Sequence, residues 1–124
     1  KNIESQFSKD NNYSLGYYEA NNLAGLLIGD TIKNEKYYDL ELHILFVSKE
    51  LRRKYIATKL LNYVEKNNIN FSKIFIEVAE DNVDAISFYQ KNNFVFLNFR
   101  HNYYRYNDKN INAKCFIKKI NHGR

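Results

Sequence analysis

Proline and methionine are absent from this chain of 124 residues, and cysteine occurs once. Without proline, every turn must be made by Asn, Gly, Asp or Ser. A single cysteine, Cys115, excludes an internal disulfide framework and suits a reducing, intracellular setting, so a cytoplasmic location is expected. No local signature marks Cys115 as a nucleophile, and it reads as a small apolar core residue in a late strand. The lack of methionine even at position 1 reads as a portion of something longer. No apolar run approaches the roughly 18–20 residues of a membrane helix. No secretory signal pattern opens the chain.

What is present describes a folded domain. Hydrophobic residues make up 44% and aromatic residues 16%, which argues against disorder. The length suits one domain spanning residues 1–124. A net charge of +5 and a pI near 9.2 suit a partner that carries phosphate, either nucleic acid or a phosphate-rich cofactor.

Residues 2–9 read as the end of a helix. Tyr13 to Ala20 and Leu23 to Ile32 read as strands joined at Asn21-Asn22, two residues that tolerate positive φ. A turn at Asn34-Glu35 leads to a long strand from Tyr37 to Val47. The period then changes. Ile56, Leu60, Leu61, Tyr63 and Val64 fall at helical spacing, and Asn67-Asn68 stops that helix. Phe71 to Ala79 is a short apolar strand. Asp81 or Asn82 caps a second helix carrying Ala85, Ile86, Phe88 and Tyr89. Phe94 to Phe99 and Ala113 to Ile120 are strands, with a polar, tyrosine-rich segment between them. The helix at 52–69 joins two neighbouring strands as a βαβ unit does.

Between the long strand and the first helix lies Arg52-Arg53-Lys54-Tyr55-Ile56-Ala57-Thr58. A helix N-terminus has unpaired N–H groups and a positive dipole end, so it binds anions, and added basic residues strengthen such a site. The alternative is a solvated basic turn. Arg52-x-x-Tyr55-x-Ala57 resembles the Gln/Arg-x-x-Gly-x-Gly/Ala signature of the GNAT acetyltransferases, which wraps the pyrophosphate of coenzyme A. Tyr55 replaces the first glycine, so its ring must point outward. Asn82-Val83-Asp84-Ala85-Ile86-Ser87-Phe88-Tyr89 through Asn93-Phe94 is similar to the same family's second motif, with Asn93 in place of glycine. Arg100-His101-Asn102-Tyr103-Tyr104 is very similar to a segment of protein N-terminal acetyltransferases, including those acting on the alanine of a ribosomal protein.

This resemblance implies a GNAT fold: an α/β (α+β), mostly antiparallel mixed sheet with one splayed parallel strand pair and helices on both faces, its first strand and helix missing. It implies acetyl-CoA as cosubstrate and direct transfer to an amine. Leu45, Phe46 and Val47 would flank the cofactor, with backbone N–H groups near Phe46 and Val47 polarising the acetyl carbonyl. Asn82 would cap its helix and touch the pantetheine arm. Tyr89 would return a proton to sulfur.

Glu77 interrupts an apolar strand, where a carboxylate is costly unless paired or useful, and it is the candidate base. Glu41 and His43, two apart on the preceding strand, share a face with each other and would neighbour it. Tyr103 and Tyr104 would line the groove for the acceptor. His43, His101 and His122 form no ligand cluster, so no metal is expected. The expected acceptor is a protein or peptide N-terminus, with the ribosome or other acetyltransferase subunits as candidate partners and no membrane or nucleic acid. Lysine side chains and small amines remain open as acceptors. So does a non-catalytic, basic RNA-binding or partner subunit on the same fold.

Overall fold

The computed structural model describes residues 3–7, 11–49, 55–66 and 70–120. Seven strands and two helices follow one another as β1 (Ile3–Phe7), β2 (Asn12–Glu19), β3 (Asn22–Asn34), β4 (Tyr37–Val47), α1 (Ile56–Lys66), β5 (Phe71–Ala79), α2 (Val83–Lys91), β6 (Val95–Tyr106) and β7 (Lys109–Lys119). They form one sheet in the order β1-β2-β3-β4-β5-β7-β6. Every neighbouring pair is antiparallel except β4 and β5, which the α1 crossover joins in parallel.

Three expectations from the sequence change here. Ile3–Phe7 is a strand paired with β2 from Ile3↔Tyr17 to Phe7↔Tyr13, not the end of a helix, so a first strand is present. Ile3 and Phe7 are four apart, a spacing shared by one helix face and one strand face, and the β2 partner decides between them. The first hairpin turns at Ala20 and Asn21, with φ of 50° and 68°, one residue earlier than expected. Two positive φ values in a two-residue loop match the twist of the flanking strands. The sixth strand, expected to end at Phe99, continues into the polar, tyrosine-rich segment. Strand β6 runs through it to a tight turn at Asn107 and Asp108, again with positive φ. The Asn67-Asn68 stop lies outside the described residues.

Helix α1 buries Ile56, Leu60, Leu61 and Val64, each worth roughly 1.5–3 kcal/mol of apolar burial, while Tyr63 packs only partly against the core. It rests on the face of the sheet that carries Leu40 and Leu42 of β4 and Ile74 and Ile76 of β5. Gly25 of β3 lets it seat, because a Cβ there would come within 2.8 Å of Ile56 Cγ2. Helix α2 packs on the same face. Its Tyr89 ring meets Phe94 at 5.2 Å, and Lys118 both lies over Phe94 and pairs with Glu65 of α1. The opposite face, with Glu41, His43, Phe75 and Glu77, is covered by no helix among the described residues. The expectation of helices on both faces is thus met on one.

Strand β4 changes phase in its middle. Ile28 pairs with Ile44 but Gly29 pairs with Leu42, so His43 is an inserted, bulged residue. Burial follows: Leu40 and Leu42 are buried before the bulge, and Leu45 and Val47 turn inward after it. Gly29 permits this. A Cβ on it would stand 2.4 Å from the Glu41 carbonyl oxygen. The parallel pairing of β4 with β5 stops at Leu42↔Ile76, although β4 continues to Val47 and β5 to Ala79. The two strands therefore part beyond the bulge, as the splayed pair expected from the sequence.

Candidate active site

The parting strands separate two cavities. The larger, about 920 Å³, is bounded by Leu45, Phe46 and Val47 of β4, by Tyr55, Ala57 and Thr58 at the start of α1, and by Asn82, Phe88 and Tyr89 of α2 and its cap. Eight of the residues expected to meet a cofactor or its sulfur are thus brought together: Leu45, Phe46, Val47, Tyr55, Ala57, Thr58, Asn82 and Tyr89. Ile56 is set apart, because its side chain is fully buried in the core. Arg52, Arg53 and Lys54 lie outside the described residues.

The start of α1 has the features of an anion site. Lys59 N–H donates to the Tyr55 carbonyl at 3.0 Å, closing the first turn, and no acidic side chain occupies that turn. The preceding N–H groups at Ile56, Ala57 and Thr58 have no intrahelical acceptor and sit at the positive end of the helix dipole. Tyr55 sits in the left-handed region that favours glycine, with φ of 58°. That geometry costs a residue with a Cβ roughly 1–2 kcal/mol. Its ring is 74% exposed, so it stands at the rim rather than filling the cavity.

Backbone groups of β4 also face the gap. Ser48 N–H donates to the Ala24 carbonyl of β3. The alternation of an antiparallel ladder then turns Phe46 toward β3 and turns the N–H groups of Leu45 and Val47 away from it.

Asn82 caps α2, its Oδ1 accepting from Ala85 N–H at 3.2 Å. Asn93 stops the helix with φ of 71°, the conformation expected of it. Tyr89 is buried between Phe88 and Phe94. Burial pushes its phenol pKa well above the usual range, so it stays protonated at any working pH.

The smaller cavity, about 310 Å³, opens on the face without helices. It is lined by Glu41, Leu42 and His43 of β4, Phe75, Ile76 and Glu77 of β5, and Arg100, Tyr103 and Tyr104 of β6. All five residues expected on the acceptor side, Glu41, His43, Glu77, Tyr103 and Tyr104, meet here. The β6 tyrosines arrive through an irregularity. Arg100 faces Ala113 and Tyr104 faces Ile111, so four steps along β6 match two along β7. The extra length bends β6 toward β5.

Four contacts made by residues of this cavity have no sequence signal. Arg100 Nη1 donates to Glu77 Oε2 at 2.9 Å, and its guanidinium lies 4.1 Å from the centroid of the Tyr103 ring. The Cys115 thiol donates to the same Glu77 oxygen at 3.5 Å, so this residue is more than apolar filler. Burial, then the Glu77 hydrogen bond, raises the Cys115 pKa and keeps the thiol protonated. His43 Nε2 lies 2.9 Å from Asp30 Oδ2 of β3. The Tyr104 phenol is also pushed up, chiefly by burial and then by the neighbouring Tyr103 and Glu77. Sequence spacing could pair Glu41 with His43, but only the register of β3 and the bulge bring Asp30 and His43 together.

No helix among the described residues is long and apolar enough to cross a membrane. The family model for the acetyltransferase (GNAT) family matches residues 1–94. No curated protein sequence matches the chain. Among solved structures, the chain is similar to Arabidopsis thaliana NAA60 in complex with a bisubstrate analogue, with a TM-score of 0.78, 17% identity and coverage of 91% of this chain and 78% of that one. It is similar to the ribosomal-protein-S18-alanine N-acetyltransferase of Escherichia coli, with a TM-score of 0.77, 19% identity and coverage of 94% and 74%. A spermidine N-acetyltransferase chimera from Vibrio cholerae SpeG and hSSAT gives 0.75, 21% identity and coverage of 90% and 69%.

Proposed function

The chain belongs to the acetyltransferase (GNAT) family, and from that premise we propose that it transfers an acetyl group from acetyl-CoA to the α-amine at a protein's N-terminus, by direct transfer in a ternary complex. The observation that carries this reading is the parting of β4 from β5 beyond Leu42 and Ile76, with one cavity on each side of the parting.

The larger cavity suits the cofactor. Its volume is at the upper end of small-molecule sites, it ends on the N-terminal turn of α1, and Tyr55 leaves it open. Arg52, Arg53 and Lys54, next along the chain, would add charge for the diphosphate. When bound, acetyl-CoA supplies a thioester as acyl donor. The Leu45 N–H, turned away from β3, would polarise its carbonyl. Tyr89, held neutral, donates a hydrogen bond that stabilises the departing thiolate.

On the acceptor side, Glu77 takes the amine proton through water, with Glu41 beside it. Only about a tenth of N-terminal amines are neutral at pH 7, so a proton acceptor is needed. Tyr103 and Tyr104 offer rigid apolar faces with polar tips to the first residues of a peptide.

A polyamine acceptor is the second reading. The Asp30 and Glu41 carboxylates favour it, and a spermidine enzyme is among the similar structures. The exposed Arg100 guanidinium at the same cavity opposes it, because it would repel a polycation and instead suits the carbonyls of a peptide. A tyrosine at position 55 that filled the cavity would favour a non-catalytic module, and its outward ring weakens that reading.

Two measurements test the proposal. Calorimetry should detect acetyl-CoA binding. Acetylation assays should then favour N-terminal peptides, including those of ribosomal proteins, over spermidine and internal-lysine peptides. Preference for spermidine would overturn the acceptor, and absent acetyl-CoA binding would overturn the enzyme.

A further inference from the structure

The net charge of +5 is not spread over the chain. Strands β6 and β7 with their turn hold six basic residues and one acidic residue, and the rest of the sequence holds equal numbers of each. The whole excess therefore lies in this hairpin. Arg100 is paired with Glu77, Arg105 with Asp108 and Lys118 with Glu65. Lys109, Lys114 and Lys119 have no carboxylate partner among the described residues.

The same hairpin ends the sheet, with β6 as the outermost strand. Val95, Phe96, Leu97 and Phe99 are all between 42% and 62% exposed, a patch of large apolar side chains of the kind that marks an interaction site. Three rings of β6 form a row. Phe96 meets Phe99 at 5.1 Å between centroids, and Phe99 stacks on His101 at 6.0 Å with the planes 23° apart. The Lys114 ammonium of β7 lies 5.9 Å from the Phe99 centroid. Pairing fixes the side of the sheet. Phe99 is opposite Lys114, and Lys114 is opposite Val78, which is buried in line with Ile74 and Ile76. Glu77, one residue before Val78, points to the other face and the acceptor cavity.

From this row and this charge, we infer that the helix-bearing side of β6 is a docking surface for single-stranded RNA, with Phe96, Phe99 and His101 as stacking platforms and Lys114 as a phosphate contact. Aromatic side chains take bases face on, and flanking cations take the backbone. A single strand leaves its bases free to stack in this way, whereas a duplex keeps them stacked on one another. An added peptide strand fits poorly. The β6 ladder breaks between Phe96 and Asn98 and again between Arg100 and Tyr104, so no run of regular pairing is longer than three residues. Strand addition needs a longer even row of backbone groups. The choice of RNA rests on the N-terminal reading above, because a new protein N-terminus emerges beside ribosomal RNA. A row on the face opposite the acceptor cavity would hold the enzyme there without blocking that cavity. Total charge leaves a nucleic-acid partner open, and its concentration in this hairpin departs from the expectation of none.

The test is fluorescence anisotropy of a labelled oligo-uridine strand of about 12 nucleotides on the full chain, beside oligo-deoxythymidine of the same length, an RNA duplex and polyglutamate. Micromolar binding of the RNA strand is expected, weakening as salt is raised, with the duplex and polyglutamate bound more weakly. Phe99→Ala should weaken RNA binding about tenfold, and Phe99→Tyr should keep it. Lys114→Gln should weaken it a few fold and flatten its salt dependence. Acetyl-CoA affinity and peptide turnover should be unchanged in all three variants. The anisotropy readout needs no acetyl transfer, so failure of the acetyltransferase reading would show in the catalytic assays alone. Absent RNA binding would overturn the inference. Polyglutamate bound as tightly as RNA would overturn it in favour of an acidic protein partner, and tighter binding of the deoxy strand would overturn the choice of RNA. Binding that Phe99→Ala leaves unchanged, in a variant whose Tm matches wild type, would overturn the stacking row.

Discussion

The two cavities on either side of the parted strands are built by different means. The larger is assembled from three local pieces: a strand end, a helix start and a capped second helix. Each piece carries its own sequence pattern, and the helix N-terminus contributes backbone groups to the lining. The smaller takes single side chains from three strands and a fourth strand's Asp30 behind them, aimed by two irregularities of pairing. A site made from backbone at element ends tolerates a change of side chain, and Tyr55 and Asn93 both hold the left-handed conformation that favours glycine. A site made from converging side chains does not. This contrast implies that substitutions in the acceptor cavity fall on turnover, whereas those at the helix start fall on cofactor affinity and stability.

The largest effect should come from Glu77→Gln. It removes the first proton acceptor and should lower kcat at neutral pH by about 10²-fold or more, with little change in acetyl-CoA affinity by calorimetry. Gly29→Ala should come next, through the fold. A Cβ 2.4 Å from the Glu41 carbonyl must push β3 and β4 apart at the bulge. A loss of about 3 kcal/mol in denaturant unfolding is expected, together with lower activity.

Tyr89→Phe should lower kcat roughly tenfold and do so evenly across pH 6–9. Burial raises the Tyr89 pKa above that window, so its proton is present throughout and no limb of the profile belongs to it. A basic limb that vanished in Tyr89→Phe would show the opposite. The smallest effect should be Tyr55→Gly. Relief of the left-handed tyrosine is partly offset by the added freedom of glycine in the unfolded chain. A net gain of about 0.5–1 kcal/mol is expected, read as a rise of a few degrees in Tm, with acetyl-CoA affinity kept or improved.

The same contrast explains what could be read from the chain. The helix at Ile56–Lys66, the cap at Asn82 and the stop at Asn93 are local, and residue type and spacing announce them. Strand β1 was not legible, because Ile3 and Phe7 fit either period and only β2 settles the matter. Strand β6 beyond Arg100 was not legible as a strand, because pairing with β7 rather than an apolar face keeps it extended. The residues of the smaller cavity could be named from the sequence, but their partners could not. Arg100, Cys115 and Asp30 reach Glu77 and His43 only through register, and register is invisible until strands are paired.

The central claim is that β4 and β5 part to receive a thioester whose diphosphate rests on the start of α1. Backbone amide NMR during titration with acetyl-CoA tests it most directly. The account predicts large shifts at Leu45, Val47, Ala57, Thr58 and the Tyr89 region, and none in β1 or β2. Saturating acetyl-CoA that left the Leu45, Val47 and Thr58 amides unmoved would contradict it.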